Sequence, residues 1–200
     1  MKYLSSLFAV AAAMLFAIPA GVAAPIHLNA TLSPSNEVPP AGSTGFGVAN
    51  LDLDPVAQTL HVNVSFSGLT SGTTASHVHC CLPSPFATGV NVGVATTTPT
   101  FAGFPLGVTS GIYDSTLDLS QASSYNPAFI TAQGSLLGAE TALINGLLSG
   151  LTYLNVHTAN FPGGEIRGFL VAVPEPETYA LLLAGLSMLG FMVRRKHHIA

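Results

Sequence analysis

Two stretches of alternating apolar and polar residues constrain the fold of this chain more than any other feature. Residues 47–53 place an apolar or small side chain at every second position, and residues 60–66 follow the same pattern. Because successive side chains of a strand point to opposite faces, a period of two predicts strands with one buried face. Asp54 and Pro55 mark a turn between the two runs. The pair is therefore expected to form a β-hairpin.

Shorter segments of β-type sequence are spread over much of the chain. Residues 24–172 are rich in Gly, Ser, Thr, Asn and Val, a composition that favours sheets and turns over helices. The exception is residues 139–148, where apolar residues follow helical spacing. We therefore predict an all-β, mostly antiparallel domain, either a β-sandwich or a flattened barrel of about eight strands with one short helix. The further candidate strands are residues 26–32, 75–81, 90–95, 112–117, 153–157 and 165–171.

The N-terminus is typical of a secretory signal peptide. Lys2 precedes an apolar run at residues 7–18, and small residues follow that run. A charged start, an apolar run and a small-residue end are the three parts of such a signal. Cleavage is expected after Ala23, which makes residues 1–23 the signal peptide and residues 24–172 the exported domain. Export of this kind implies passage through a secretion translocase.

The C-terminal segment, residues 173–200, combines a proline-acidic motif, an apolar stretch and a basic end. The apolar stretch, residues 179–193, would span roughly 22 Å as a helix, against the roughly 30 Å of a bilayer core. Because cations are costly to move across a bilayer, the basic residues are expected to stop transfer and to keep the C-terminus in the cytoplasm. The motif residues are Pro174, Glu175 and Pro176, and the stop-transfer residues are Arg194, Arg195 and Lys196.

In order and spacing, this segment resembles the PEP-CTERM sorting signal of exported bacterial proteins. The resemblance implies a transmembrane helix at residues 179–193 that holds the chain in the inner membrane until an exosortase processes it near Pro174. An ordinary tail anchor that is never cut is the alternative. The implied location is an inner membrane intermediate with the domain outside the cytoplasm, followed by the cell envelope or the extracellular matrix.

The exported domain carries a single Lys or Arg side chain. Of the five such residues in the chain, four lie in the terminal segments, and Arg167 alone lies in the acidic domain. One cation cannot form the basic surface that nucleic acid binding requires, so nucleic acid is not an expected partner. The sequence also has no Gly-x-Ser-x-Gly elbow and no phosphate-binding loop, and we do not predict an enzyme. Arg167 is expected to form a structural ion pair with Glu37 or Glu165.

Four short motifs follow one another along the domain. They are residues 36–40 (NEVPP), 76–79 (SHVH), 153–158 (YLNVHT) and 162–168 (PGGEIRG). In order and spacing they resemble the CHRD domain. That resemblance implies a β-rich extracellular module with no generally established activity. Together with the C-terminal signal, it favours a non-catalytic surface or extracellular-matrix protein that binds exopolysaccharide, other glycans or neighbouring proteins.

The His77-Val78-His79 motif is the one place where the sequence suggests chemistry. Residues two apart on a strand share a face, so His77 and His79 point the same way as Cys81. His157 adds a third imidazole if its strand lies nearby. Imidazole nitrogens suit Cu or Zn, and the alternative function is a periplasmic or surface domain that binds one of these metals. The competing interpretation is structural, with imidazoles that only hydrogen-bond loop backbone.

Cys80 and Cys81 are adjacent in a domain that is predicted to be exported, where disulfides form. Consecutive Cα atoms lie about 3.8 Å apart across a trans peptide, whereas disulfides usually need about 4.4 Å or more. A bridge between them would therefore require a strained turn. A vicinal disulfide and free thiols are equal alternatives, metal ligation by Cys81 ranks behind them, and pairing between chains is open as well.

Overall fold

Antiparallel strands dominate the computed structural model, which describes residues 24–83, 88–174, 182–189 and 194. The described elements are β1 (Ile26–Leu32), β2 (Phe46–Asp54), β3 (Thr59–Ser67), β4 (Thr73–Cys80), β5 (Gly111–Asp118), α1 (Pro127–Ala132), α2 (Leu136–Leu148), β6 (Thr152–Thr158), β7 (Ile166–Phe169) and β8 (Val171–Ala172). The strands form a five-stranded sheet in the order β5-β3-β2-β1-β8 and a three-stranded sheet in the order β4-β6-β7. Single 3-10 turns lie at Pro34–Asn36 and Ala122–Ser124.

The predicted hairpin is confirmed as β2 and β3. The two strands pair in register from Phe46 opposite Ser67 to Asp54 opposite Thr59, with a turn at residues 55–58. Every second residue of each strand is buried, as the period of two requires. This hairpin forms the centre of the five-stranded sheet.

Both sheets pack on one hydrophobic core. Leu28 and Val62 reach it from the five-stranded sheet, Val78 and Leu154 from the three-stranded sheet, and Leu143 from α2. The sheets do not close on one another. The architecture therefore corresponds to the sandwich alternative rather than the barrel.

Two of the predicted strands are wrong in detail. Residues 90–95 form no strand, and their ladder contacts are limited to an isolated bridge from Val94 to His79. The predicted strand at residues 165–171 is two strands, because β7 pairs with β6 whereas β8 pairs with β1 in the other sheet. The chain therefore changes sheets at Leu170.

The helical content is also larger than predicted. The helix expected at residues 139–148 begins three residues earlier, after Ser135, whose hydroxyl accepts the Gly138 amide at 2.9 Å. The second helix, α1, was not predicted. It starts with Asn126 as the N-cap and proline at the first helical position, a recognised start signal.

The two terminal signals lie largely outside the described residues. This applies to the predicted signal peptide at residues 1–23 and to most of the sorting and stop-transfer residues. Of the predicted transmembrane helix at residues 179–193, only residues 182–189 are described, and they are helical and exposed. Among the helices described, none combines the length and the apolar character needed to cross a membrane.

Candidate metal centre

Two neighbouring strands bring the three predicted histidines together. β4 and β6 pair antiparallel, with Ala75 opposite His157 and His77 opposite Asn155. Side chains at every second position of two paired strands share one face, so His77, His79 and His157 meet there. In this group, called the histidine cluster below, the candidate ligand nitrogens of the three residues all lie within 4.8 Å of one another.

Each ring of the histidine cluster is bonded to one backbone carbonyl group. A carbonyl oxygen can only accept, so the ring nitrogen that faces it carries the hydrogen and donates. The other nitrogen of each neutral imidazole then carries a lone pair. The bonds run from Nε2 of His77 to the Pro99 oxygen at 3.1 Å, from Nδ1 of His79 to the Val92 oxygen at 2.7 Å, and from Nδ1 of His157 to the Pro162 oxygen at 2.9 Å.

The second nitrogen of each ring has no partner among the described residues. These atoms are Nδ1 of His77, Nε2 of His79 and Nε2 of His157, and all are buried. Buried polar atoms are nearly always hydrogen-bonded, so each exception needs a physical explanation. The structural interpretation accounts for the bonded nitrogen of each ring. It leaves three imidazole lone pairs that converge, with the Asn155 side-chain amide beside those of His77 and His79. Three converging imidazole nitrogens suit a metal ion.

Burial keeps the histidine cluster uncharged. Desolvation lowers the pKa of His77 to about 3 and that of His79 to about 4, and it also lowers the pKa of His157. Repulsion from His157 acts in the same direction on the other two rings. The lone pairs are therefore available at neutral pH, and a metal ion would not compete with protons for them.

An aromatic stack holds the cluster in place. The Tyr153 ring stacks on His79 with 4.6 Å between centroids, and the Arg167 guanidinium lies 4.4 Å from the Tyr153 centroid. The Tyr153 hydroxyl donates to the Val92 carbonyl oxygen at 3.3 Å, the same oxygen that accepts from His79. The orientation of His79 is thus set by protein contacts alone.

The described structure contains no direct ion pair of Arg167 with Glu37 or Glu165, and the Arg167 charge acts on Glu37 only through space. The guanidinium is fully buried, and its hydrogen bonds end on neutral oxygens. Within the described part of the chain, ion pairs are confined to His27 and His61 with surface aspartates. The acceptors of Arg167 are the carbonyl oxygens of Asn36, Thr88 and Val90 and the side-chain oxygen of Asn91.

Glu165 is satisfied by hydroxyl and amide donors. It accepts from the Ser43 hydroxyl at 2.5 Å, from the Thr158 hydroxyl at 2.5 Å, and from the Thr70 amide at 2.7 Å and hydroxyl at 3.1 Å. Burial alone would raise the pKa of Glu165, but these bonds outweigh it and lower the pKa. Glu165 therefore needs no cation.

Cys80 and Cys81 form a vicinal disulfide across a cis peptide bond. Both sulfurs face α2, at 3.7 Å and 3.5 Å from the Ala142 carbonyl oxygen. A Cβ atom at Gly146 would lie only 2.6 Å from Sγ of Cys80, so the disulfide packs directly on the helix backbone. Of the alternatives for these residues, the structure contains the disulfide, and neither sulfur joins the histidine cluster.

Sequence reasoning missed Asn155 and the three carbonyl groups. Asn155 is buried, and its side-chain amide lies against His77 and His79. It had a usable signal, because it sits two residues before His157 on a predicted strand and shares its face. The carbonyl groups belong to loop residues, and because every residue has a carbonyl group, the sequence does not distinguish them.

Comparisons with known proteins agree with both resemblances. A family model described as the CHRD domain matches residues 28–170, and a model described as the PEP-CTERM protein-sorting motif matches residues 172–196. The first match covers every strand that contributes to the histidine cluster. No match was found among curated proteins or among solved structures.

Proposed function

Because the chain belongs to the CHRD domain family and carries a PEP-CTERM sorting motif, we propose that it is an exported surface protein whose domain binds a copper or zinc ion. The observation that carries the metal proposal is the convergence of three buried imidazole nitrogens without partners in the described structure. Neither family is enzymatic, and the proposed role is non-catalytic.

The donor set favours soft or borderline transition metals. Three neutral imidazoles suit Zn and Cu, whereas Mg²⁺ and Ca²⁺ prefer carboxylate and carbonyl oxygens. The compact group contains no carboxylate. His77, His79 and His157 would hold the ion, and their bonded carbonyl groups would fix the tautomer of each ring, as carbonyl partners of ligating histidines do elsewhere.

The sorting motif makes this an exported protein that exosortase handles at the membrane. We propose that the secretion translocase delivers residues 24–172 across the inner membrane and that the C-terminal segment holds the chain there transiently or persistently. The final location is then the cell envelope or the extracellular matrix. There the domain meets exopolysaccharide and other surface proteins, and the metal would be taken up outside the cytoplasm.

Metal binding can be tested on the purified full chain in detergent. After removal of metal with a chelator, the wild-type protein should bind one Cu or Zn ion per chain, measured by equilibrium dialysis and elemental analysis. Changes around metal ligands alone cost roughly 10–100-fold in affinity, so the double substitution His77→Ala/His79→Ala, which removes two ligands, should cost more than about 100-fold.

The matched control is His27→Ala/His61→Ala. It also removes two histidines, but their side chains are 55% and 37% exposed and belong to the surface ion pairs. This variant should bind metal like the wild type. Absence of Cu and Zn above background in the wild type, under both oxidising and reducing conditions, would falsify the metal proposal.

A further inference from the structure

A second unpartnered polar group lies outside the histidine cluster, at Glu37. Its side chain is 4% exposed, and Oε1 is buried with no hydrogen-bond partner among the described residues. Burial raises the pKa of Glu37 to about 7, against the pull of the Arg167 charge. An unpaired carboxyl group in this position costs stability that a simple structural role would not require.

Glu37 lines a cleft of about 240 Å³. On one side, Gly164 closes against the carboxylate, and a Cβ atom there would collide with Oε1. The remaining walls are largely apolar, so the carboxylate is the single acidic group of the cleft. The other lining side chains include Val38, Pro39, Pro40, Phe161 and Pro162.

The domain places no directly bonded cation beside this carboxylate, and the Arg167 charge acts on it only through space. Arg167 is the sole Lys or Arg in residues 24–173, and its donors are bonded to four other oxygens. It is also 0% exposed, so the described surface of the domain presents no Lys or Arg side chain. Glu37 therefore has no hydrogen-bonded cation among the described residues, and an external cation could fill that place.

We propose that the Glu37 cleft binds the primary ammonium group of an organic ligand. The ammonium group would donate charge-assisted hydrogen bonds to the Glu37 carboxylate, whose buried Oε1 must turn from Gly164 toward the cleft to accept them. The proline and phenylalanine walls would pack against the carbon skeleton next to the nitrogen. The site contains none of the three histidines, although Pro162, whose carbonyl oxygen accepts from His157, also lines the cleft.

Two ammonium sources occur outside the cell, amino sugars and lysine side chains, and the probes separate them. The purified full chain in detergent is titrated at about pH 8 with D-glucosamine, with lysine N-methylamide and with N-acetylglucosamine, which lacks the charge. Calorimetry should show saturable binding of at least one amine, with Kd on the order of 1 mM, and no binding of the acetylated sugar. Preference for one amine identifies the source.

Glu37→Gln removes the charge and keeps the shape, and it should weaken amine binding at least about tenfold. Glu140→Gln is the matched control, because Glu140 is another buried glutamate, on α2, and already bonds to Gln58 at 2.7 Å. That variant should bind amines unchanged. The proposal is overturned if neither amine binds, if the acetylated sugar binds equally well, or if amine binding survives in Glu37→Gln.

Discussion

Replacing Arg167 with alanine should destabilise the folded domain by several kcal/mol, because each buried acceptor that is left without a donor costs about 1–3 kcal/mol. The side chain is 0% exposed, and its donors hold oxygens of residues 36, 88, 90 and 91. Without the guanidinium these oxygens lose their donor, and Tyr153 loses the cation beside its ring. Denaturant unfolding of the full chain, followed by circular dichroism, measures the loss.

Arg167→Lys separates charge from shape. Lysine keeps the positive charge but lacks the planar fork that reaches several acceptors at once, so it should recover only part of the loss. His61→Ala is the surface control, because the His61 and Asp114 side chains are 37% and 60% exposed and such pairs contribute about 1 kcal/mol or less. An Arg167→Ala protein that melts with the wild type would show that the guanidinium is not needed for folding.

The hydrogen-bond partners of Arg167 could not be predicted from the sequence. Opposite charge suggested Glu37 or Glu165, and Glu165 lies two residues before the arginine in the same motif. The acceptors in the structure are mainly carbonyl groups of loops that lie 76 to 131 residues away along the chain. Every residue has a carbonyl group, so no residue type marks these positions in the sequence.

Strand prediction succeeded where one face is buried. In β2 and β3 every second residue is buried, and the alternation was visible in the sequence. All seven residues of β6 are buried, so its position could be found only approximately. Residues 90–95 have β-type composition, but their backbone supplies acceptors to Arg167 and an isolated bridge instead of a ladder. Composition does not determine which partner a strand finds.

The sequence predicted which histidines form the cluster, but not which nitrogen of each ring carries the hydrogen. Strand periodicity placed His77 and His79 on one face, and His157 followed if β6 paired with β4, as it does. Which nitrogen of each ring carries the hydrogen depends on carbonyl groups from two loops, one between β4 and β5 and one between β6 and β7. Because these bonds leave the other nitrogen of each ring with a free lone pair, the three buried histidines form a candidate metal centre.

Acid should destabilise the metal-free protein by several kcal/mol between about pH 7 and pH 4, because each unit of pKa difference corresponds to about 1.4 kcal/mol. Burial lowers the pKa of His77 from 6.5 to about 3 and that of His79 to about 4 in the folded state. The unfolded chain therefore binds more protons below about pH 6.5. The stability that the neutral His77 and His79 contribute is present above about pH 6.5 and is lost as the pH falls toward their folded pKa values. Unfolding in denaturant with a chelator present measures it.

Glu37 affects the pH dependence of stability in the direction opposite to that of His77 and His79, and this difference allows a sharper test. Its folded pKa of about 7 lies above the usual glutamate pKa of 4.5, so its contribution to stability is largest below pH 4.5 and is lost as the pH rises to 7. Glu37→Gln should therefore steepen the acid loss by about 2–3 kcal/mol. His77→Gln/His79→Gln should instead flatten the acid loss, whereas His61→Ala, which removes a ring whose pKa is raised by its bond to Asp114, should not flatten it. If Glu37→Gln stays equally stable from pH 7 to pH 4, burial does not keep the His77 and His79 rings neutral. The argument that the histidine cluster has free lone pairs then fails.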